Sequence, residues 1–310
     1  MMRILFVDKT HPFLKEKLEE NNFICDEAYN LNINEIEKII SKYSGLIIRS
    51  RFNIDYSFID KAHKLKFIAR AGSGIENIDV NYAKLKNIKC FNAAEGNRQA
   101  VAEHAIGMII ALFNNINIAD LEVRKEKWIR EKNRGIELSG KTFGIIGFGN
   151  NGSALAKCLH GFNVHILAYD KYLKKHPYQS TMEKIFKHAD IISLHVPLTE
   201  ETKYMVDNDF IRKFEKDIYL INTARGGCVN TKDLVKNLKK KKVLGACLDV
   251  LEFEQTSFEK ISNYGYNNSL KFLYESKKVI LTPHIAGLTV ESNIKISKFL
   301  AEKILSEFRY

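Results

Sequence analysis

Phe143-Gly144-Ile145-Ile146-Gly147-Phe148-Gly149-Asn150-Asn151-Gly152 is the stretch from which the fold is read. An apolar run, Phe143 to Ile146, leads into a G-x-G-x-x-G turn, and a helix-compatible run, Ser153 to Leu159, follows it. A second strand-like run, Val164 to Tyr169, ends at Asp170. Glycines in this register permit a tight turn, let backbone reach a pyrophosphate, and bring a helix close against a strand. The helix N-terminus then faces negative charge, and an acid about 20 residues on can accept from a ribose hydroxyl. Gly147, Gly149, Asn150, Asn151, Gly152 and Asp170 are therefore candidate contacts to a dinucleotide. The turn lies almost halfway along a 310-residue chain, so the residues before it need their own explanation.

Upstream, strand candidates Arg3–Val7, Gly45–Arg49, Leu65–Ala69 and Lys89–Asn92 alternate with helical stretches such as Pro12–Glu20 and Asn34–Ile40. That is the pattern of a small parallel α/β domain. A long helix is expected from about Asn97 to Ala119, apolar nearly all round and so buried on more than one side. Downstream, strands Ile191–Leu194, Ile218–Asn222, Leu244–Leu248 and Val279–Leu281 and helices Met182–His188 and Thr231–Lys239 complete a second doubly wound sheet. A final amphipathic helix, about Thr289 to Phe308, has no sheet of its own and is expected to return to the first domain, with two crossing segments forming a hinge. Gln255 to Lys277 is longer than a simple connection requires. It carries Phe258, Tyr264, Tyr266, Phe272 and Tyr274, and reads as a helical excursion at the domain edge or as a flap over the site.

Hydrophobic residues make up 45% of the chain, enough for ample core, and no apolar run reaches the roughly 18 residues that span a bilayer. The N-terminal Met1-Met2-Arg3-Ile4-Leu5-Phe6-Val7-Asp8 reads as a strand, not a signal peptide. Cys25, Cys90, Cys158, Cys228 and Cys247 are widely spaced, odd in number and without C-x-x-C, so reduced cytoplasmic thiols and no metal site are expected. The net charge of +11 comes without an aromatic-interleaved basic motif, and the densest run, Lys239 to Lys242, follows an amphipathic helix. Nucleic acid and membrane are therefore not expected partners. A basic surface still attracts an anionic small molecule.

If the dinucleotide carries a hydride, the protein must supply a cation for an acid substrate, a proton carrier and a group that tunes the carrier. Ligands of open α/β sheets bind beyond the carboxyl ends of the strands. Arg225 follows Ile218–Asn222 there, and arginine pairs bidentately with a carboxylate. His284 follows Val279–Leu281, and histidine exchanges protons near neutral pH. Nine histidines are present, and His195, at the end of Ile191–Leu194, is the nearest rival. Glu254 follows the strand ending near Asp249 and suits the tuning role. Spacing alone does not choose it over Glu252.

These segments together resemble the D-isomer-specific 2-hydroxyacid dehydrogenases, from about Leu46 to Gly287. Arg70-Ala71-Gly72-Ser73-Gly74-Ile75-Glu76-Asn77-Ile78-Asp79 resembles the family's substrate loop, whose backbone amides hold a carboxylate. Glu95-Gly96-Asn97 and Ala102-Glu103-His104 resemble the entry to its inter-domain helix. Asn222-Thr223-Ala224-Arg225-Gly226-Gly227, Asp249-Val250 followed by Glu254, and Pro283-His284 resemble its arginine, acid and histidine motifs, in the family's order. The resemblance implies Arg225 as substrate anchor, Glu254 as partner and His284 as acid/base. It also implies Thr223, Ala224, Asp249 and Gly287 as further cofactor contacts, and Gly72, Ser73 and Gly74 as substrate contacts. The implied fold is a Rossmann nucleotide domain, residues 98–287, inserted into a flavodoxin-like substrate domain of residues 1–97 and 288–310, with a homodimer built on the former. Asp170 favours NAD over NADP, since a 2′-phosphate would meet a carboxylate, and Lys171 beside it weakens that preference.

Within the family, Arg49-Ser50-Arg51 resembles the basic loop of members that oxidise 3-phospho-D-glycerate to 3-phosphooxypyruvate on the way to serine. Trp128-Ile129-Arg130 resembles a segment whose basic residue reaches a neighbour's active site. Arg49, Arg51, Arg70 and Arg130 are the expected phosphate cradle. Two departures stand out. Gln255 occupies the position after Glu254 where the family usually has proline, and the chain stops at Tyr310, where longer relatives continue into a regulatory domain. Serine feedback through such a domain is therefore not expected. A glyoxylate or hydroxypyruvate reductase is the nearest alternative, and an NAD-sensing, corepressor-like binding protein is the alternative of another class.

Overall fold

The computed structural model describes residues 1–173, 175–254 and 268–308, and the chain divides into two compact units. The first comprises Met1–Arg98 and Leu288–Tyr310; the second runs from Gln99 to Gly287.

In the first unit, strands and helices alternate: β1 (Arg3–Phe6), α1 (Pro12–Glu19), β2 (Ile24–Glu27), α2 (Ile33–Ile39), β3 (Gly45–Ile48), α3 (Tyr56–Lys61), β4 (Phe67–Arg70), α4 (Val80–Leu85) and β5 (Lys89–Phe91). Helix starts are marked by side chains that satisfy otherwise unpaired amides. Asn32 and Glu35 form a reciprocal capping box, and Asp55 and Asp79 accept from Phe58 N and Tyr82 N. The strands pair in parallel in the order β2-β1-β3-β4-β5, the flavodoxin-like order. Successive side chains of β1 go to opposite faces. Leu5 and Val7 pack with Ile36 and Phe58, whereas Ile4 and Phe6 pack with Leu14 and Leu18.

Helix α5 (Ala94–Phe113) begins in the first unit and continues into the second. The expected single helix to Ala119 does not form. Asn115 takes a left-handed backbone, φ 52°, and the chain turns by 60° into α6 (Ile116–Val123). Asparagine tolerates that conformation, so Asn114-Asn115 ends the helix where an apolar residue would have continued it. The second sheet is built from β6 (Thr142–Ile146), α7 (Asn150–Cys158), β7 (His165–Tyr169), α8 (Met182–His188), β8 (Ile191–Leu194), α9 (Asn208–Arg212), β9 (Ile218–Asn222), α10 (Thr231–Lys239), β10 (Val243–Leu248), α11 (Asn268–Glu275) and β11 (Val279–Leu281). Its strands are parallel in the order β11-β10-β9-β8-β6-β7. A single parallel bridge between Ala168 and Gln179 adds a rudimentary strand outside β7.

The order reverses at β6. The chain goes one way to β7 and returns to the other side for β8, which opens a crevice at the carboxyl ends of these strands. The excursion foreseen at Gln255–Lys277 is described only in part. α11 buries Leu270 and Leu273, and Phe272 packs against the core. Phe258, Tyr264 and Tyr266 lie outside the described residues. The last helix, α12 (Val290–Phe308), belongs to the first unit, where Leu300, Ala301 and Ile304 are buried with Leu14 and Leu18 and Phe308 stacks on Phe67. Among the described residues, no single helix is long and apolar enough to cross a membrane.

Candidate active site

The glycine turn follows β6 directly. Gly147 has φ +91°, and a Cβ there would lie 2.4 Å from the carbonyl oxygen of His195 at the end of β8, so only glycine fits. A Cβ on Gly152 would lie 2.1 Å from Gly147 O, which is how closely α7 sits on the turn. Gly149, at the start of α7, has open space where its side chain would be. Backbone and open space at a helix N-terminus are what a pyrophosphate requires. Two buried oxygens, Asn151 Oδ1 and Thr223 Oγ1, lack a hydrogen-bond partner among the described residues. Such atoms are costly unless something supplies their bonds, and a polar cofactor would.

Asp170 ends β7. Its Oδ2 accepts from Phe148 N at 2.7 Å, and its Oδ1 accepts from Tyr172 N at 2.8 Å and Leu173 N at 2.9 Å. Burial pushes this carboxyl up, but the three backbone amides outweigh it and hold it below the ordinary range. The acid is thereby anchored to the turn and anionic at neutral pH. Lys171 pairs with Glu201. His176 stacks on Phe148 of the turn with ring centroids 4.0 Å apart.

Three strand ends place the residues expected to do chemistry. After β9, the side chain of Asn222 accepts from Ala224 N and donates to Arg225 O, both at 3.0 Å, folding the chain into a compact turn. Arg225 Nη1 donates to Ala224 O at 2.6 Å. A Cβ on Gly226 would lie 1.9 Å from Leu251 O, so this turn and the segment after β10 are in backbone contact. That segment carries both candidate acids. Glu252 Oε2 accepts from Thr231 N at the start of α10. Glu254 Oε2 instead lies 2.8 Å from His284 Nδ1, while its Oε1 accepts from Leu251 N. Tertiary structure thus separates two acids that spacing left equivalent.

It also separates the two histidines. His195 Nε2 pairs with Ser193 Oγ at 2.8 Å, and no carboxylate meets its ring among the described residues. His284 sits at φ +55°, a conformation uncommon for side-chain-bearing residues. Asp249, 1% exposed, holds the turn that carries it. Its backbone oxygen accepts from His284 N at 2.7 Å. Oδ1 accepts from Thr282 Oγ1 at 2.6 Å and Ile285 N at 2.8 Å, and Oδ2 accepts from Ala286 N at 3.0 Å. The resemblance implied a cofactor contact at Asp249, yet its carboxylate is turned to the residues just before Gly287. Sequence reading missed this clamp, and also the role of Asn222. Both are polar residues at the ends of apolar strands, which is the one signal that could have found them. Cys228 is a buried thiol raised by burial, as expected of a packed bystander.

In the first unit, Arg70 Nε donates to Arg49 O at 3.1 Å, and the Arg70 guanidinium lies over Gly72, where a Cβ would be 1.8 Å from Nη1. Ser73 Oγ donates to Asn97 Oδ1 at 2.8 Å, Asn92 Nδ2 donates to Ser73 O, and Gly74 follows in the same loop. Arg49 is exposed. Arg51 is exposed too, and part of its guanidinium is bonded to backbone. Its Nη1 donates to Val7 O at 2.9 Å and Ala28 O at 3.4 Å, and its Nη2 donates to Leu31 O at 2.7 Å. Those are carbonyls beyond the carboxyl ends of β1 and β2, and Ala28 O also accepts from Leu31 N at 3.3 Å. Arg130 is exposed, in the second unit.

Residues 106–286 match the NAD binding domain of the D-isomer specific 2-hydroxyacid dehydrogenases. A hydroxypyruvate reductase of Thermotoga maritima is 37% identical over 94% of this chain and 92% of its own length. A D-3-phosphoglycerate dehydrogenase of Archaeoglobus fulgidus is 32% identical over 98% of this chain, which spans 57% of that protein's length. Among solved structures, a D-lactate dehydrogenase of Aquifex aeolicus complexed with NAD and lactic acid superposes with a TM-score of 0.83 at 27% identity, covering 98% of this chain and 94% of that one. The chain belongs to the D-isomer specific 2-hydroxyacid dehydrogenase family, and its cofactor is NAD.

Proposed function

We propose that this chain interconverts a D-2-hydroxy acid and its 2-keto acid, with His284, Glu254 and Arg225 in the three roles the chemistry requires. The observation that carries the reading is the 2.8 Å contact between His284 Nδ1 and Glu254 Oε2. The open space at Gly149, the oxygens of Asn151 and Thr223 that find no partner among the described residues, and the anchored Asp170 are the groups that would hold NAD, which when bound accepts or returns a hydride. Glu254, accepting at Nδ1, keeps the Nδ1 proton in place and leaves Nε2 as the nitrogen that takes the hydroxyl proton during oxidation. The same carboxylate stabilises the imidazolium that results. Arg225 would pair with the substrate carboxylate and polarise the carbonyl.

The finer reading is oxidation of 3-phospho-D-glycerate to 3-phosphooxypyruvate, a step toward serine. It is supported by the exposed Arg49 and by Arg70 directly beside it. A second reading, reduction of hydroxypyruvate, is favoured by one observation: Nη1 and Nη2 of Arg51 donate to the Val7, Ala28 and Leu31 carbonyls, which draws that side chain away from a phosphate cradle. Steady-state kinetics on D-glycerate and 3-phospho-D-glycerate decide between them. The first reading expects kcat/KM at least about tenfold higher for the phosphorylated acid, about the value of one charged hydrogen bond. Equal efficiency leaves the second.

We further infer a homodimer formed through α6 and the chain after it. Ile116, Leu121, Val123, Trp128, Ile129 and Ile136 are large, apolar and exposed there, and α6 buries none of its own residues. A reducing, cytoplasmic setting is supported by five cysteines that are all free thiols.

A further inference from the structure

His104 lies on α5, outside the three strand ends that carry the proposed chemistry, yet it reaches the turn that presents His284. Its Nε2 is 3.0 Å from Thr282 Oγ1 and 3.6 Å from Asp249 Oδ1. The direction of these bonds follows from counting protons. Thr282 has one hydroxyl hydrogen, and it is committed to Asp249 Oδ1 at 2.6 Å. The hydroxyl oxygen can therefore only accept from His104, so Nε2 carries a hydrogen. Asp249 Oδ1 receives Ile285 N as well, and Oδ2 receives Ala286 N, so the carboxylate fixes the residues on both sides of His284. Met108, one helical turn beyond His104, packs its sulfur 3.9 Å from the same threonine hydroxyl. Helix α5 thus bears on the His284 turn through one threonine.

We propose that His104 is a positioning residue for His284, acting through the chain Nε2–H to Thr282 Oγ1–H to Asp249. The inference rests on the reading of His284 as proton carrier. The backbone of His284 at φ +55° is a conformation that surrounding bonds must enforce, and Asp249 supplies most of them. Without the donor from His104, the Thr282 hydroxyl is free to rotate away, and the carboxylate loses the partner that orders it. The imidazole then visits its reactive orientation a smaller fraction of the time. That is a loss in kcat with little change in cofactor affinity, because nothing at the glycine turn has moved.

The test uses the full-length enzyme with NADH and, in parallel, hydroxypyruvate and 3-phosphooxypyruvate. His104→Leu fills the space without a donor, His104→Gln restores an N–H, and Thr282→Val removes the hydroxyl while keeping its shape. The expectation is a fall in kcat of about fivefold to tenfold for His104→Leu and for Thr282→Val, the size expected of one hydrogen bond. NADH dissociation constants should stay within about twofold, and His104→Gln should recover most of the rate. The double variant His104→Leu/Thr282→Val should be no slower than Thr282→Val alone, since both break one chain. An unchanged kcat in His104→Leu, no recovery in His104→Gln, or additive losses in the double variant would each overturn the proposal. Should His104→Leu fail to fold, His104→Met takes its place, with the same expected fall in kcat and the same overturning results. His284→Ala is measured alongside. If it keeps the wild-type rate, the reading of the site fails. If it abolishes turnover while His104→Leu is silent, only the present inference falls.

Discussion

At the scale of single residues, the site separates groups by what each already bonds to. Glu252 and Glu254 are two positions apart, but one caps a helix and the other faces an imidazole. His284→Ala should therefore lower kcat by roughly a thousandfold, within the range of lost acid–base catalysis, with NADH binding followed by fluorescence nearly unchanged. Lost NADH binding with a normal rate at saturation would sink the assignment. Arg49 and Arg51 are equally close neighbours, but only the Arg51 guanidinium is given bonds to backbone carbonyls. Arg51→Met strips partners from three carbonyls and should lower stability by about 1–2 kcal/mol, read as a lower Tm, without raising KM for a phosphorylated acid. Arg49→Ala should do the reverse. A phosphate-specific rise in KM for Arg51→Met would return that side chain to the cradle. Spacing shows neither contrast, because residue type is the same on both sides of each pair; only the family resemblance pointed to Glu254.

At the scale of elements, the buried strands of the second sheet were legible. Ile191–Leu194 and Ile218–Asn222 stand where their apolar runs place them, because a parallel strand covered on both faces has no polar alternation to blur it. β2 was not legible. Its residues Ile24–Glu27 form an edge strand with no fully buried side chain, so pairing with β1, not an apolar run, makes it a strand. The long helix was read in composition but not in its break, since the left-handed Asn115 is one residue's choice within an apolar stretch. The consequence is α6, whose apolar side chains face outward. Leu121→Asp should convert a dimer to monomer in analytical ultracentrifugation, with far-UV circular dichroism unchanged, because a charge at an exposed position costs the monomer little. Wild-type protein that sediments as a monomer would remove the basis of that claim.

At the scale of the whole molecule, the response to acid has one source that sequence does not show. His195 keeps some exposed surface, but its Nδ1 is enclosed without a partner among the described residues, and the charge of an imidazolium sits on the ring nitrogens. Burial pushes its pKa down to about 4. The unfolded chain, near 6.5, binds the proton first as pH falls, so the neutral ring contributes stability that is whole above about pH 6.5 and is lost as pH falls through about 4. The difference corresponds to about 3 kcal/mol. Denaturant melts at pH 7 and pH 4.5 should show a smaller acid loss in His195→Gln than in the parent, and an equal loss would refute the burial argument. The division of labour between sequence and tertiary structure follows the same physics. The two parallel α/β sheets and the glycine turn were readable along the chain, because apolar periodicity and glycine spacing are local properties; Arg225, Glu254 and His284 were singled out only with the help of the family resemblance. The 2.8 Å contact of Glu254 with His284, the bonds of Arg51 to backbone carbonyls, and the convergence of Asp249 and His104 on one turn appear only in three dimensions. Those outcomes depend on where separate strand ends come to lie, and a hydrogen bond is set by a few tenths of an ångström that no spacing along the chain encodes.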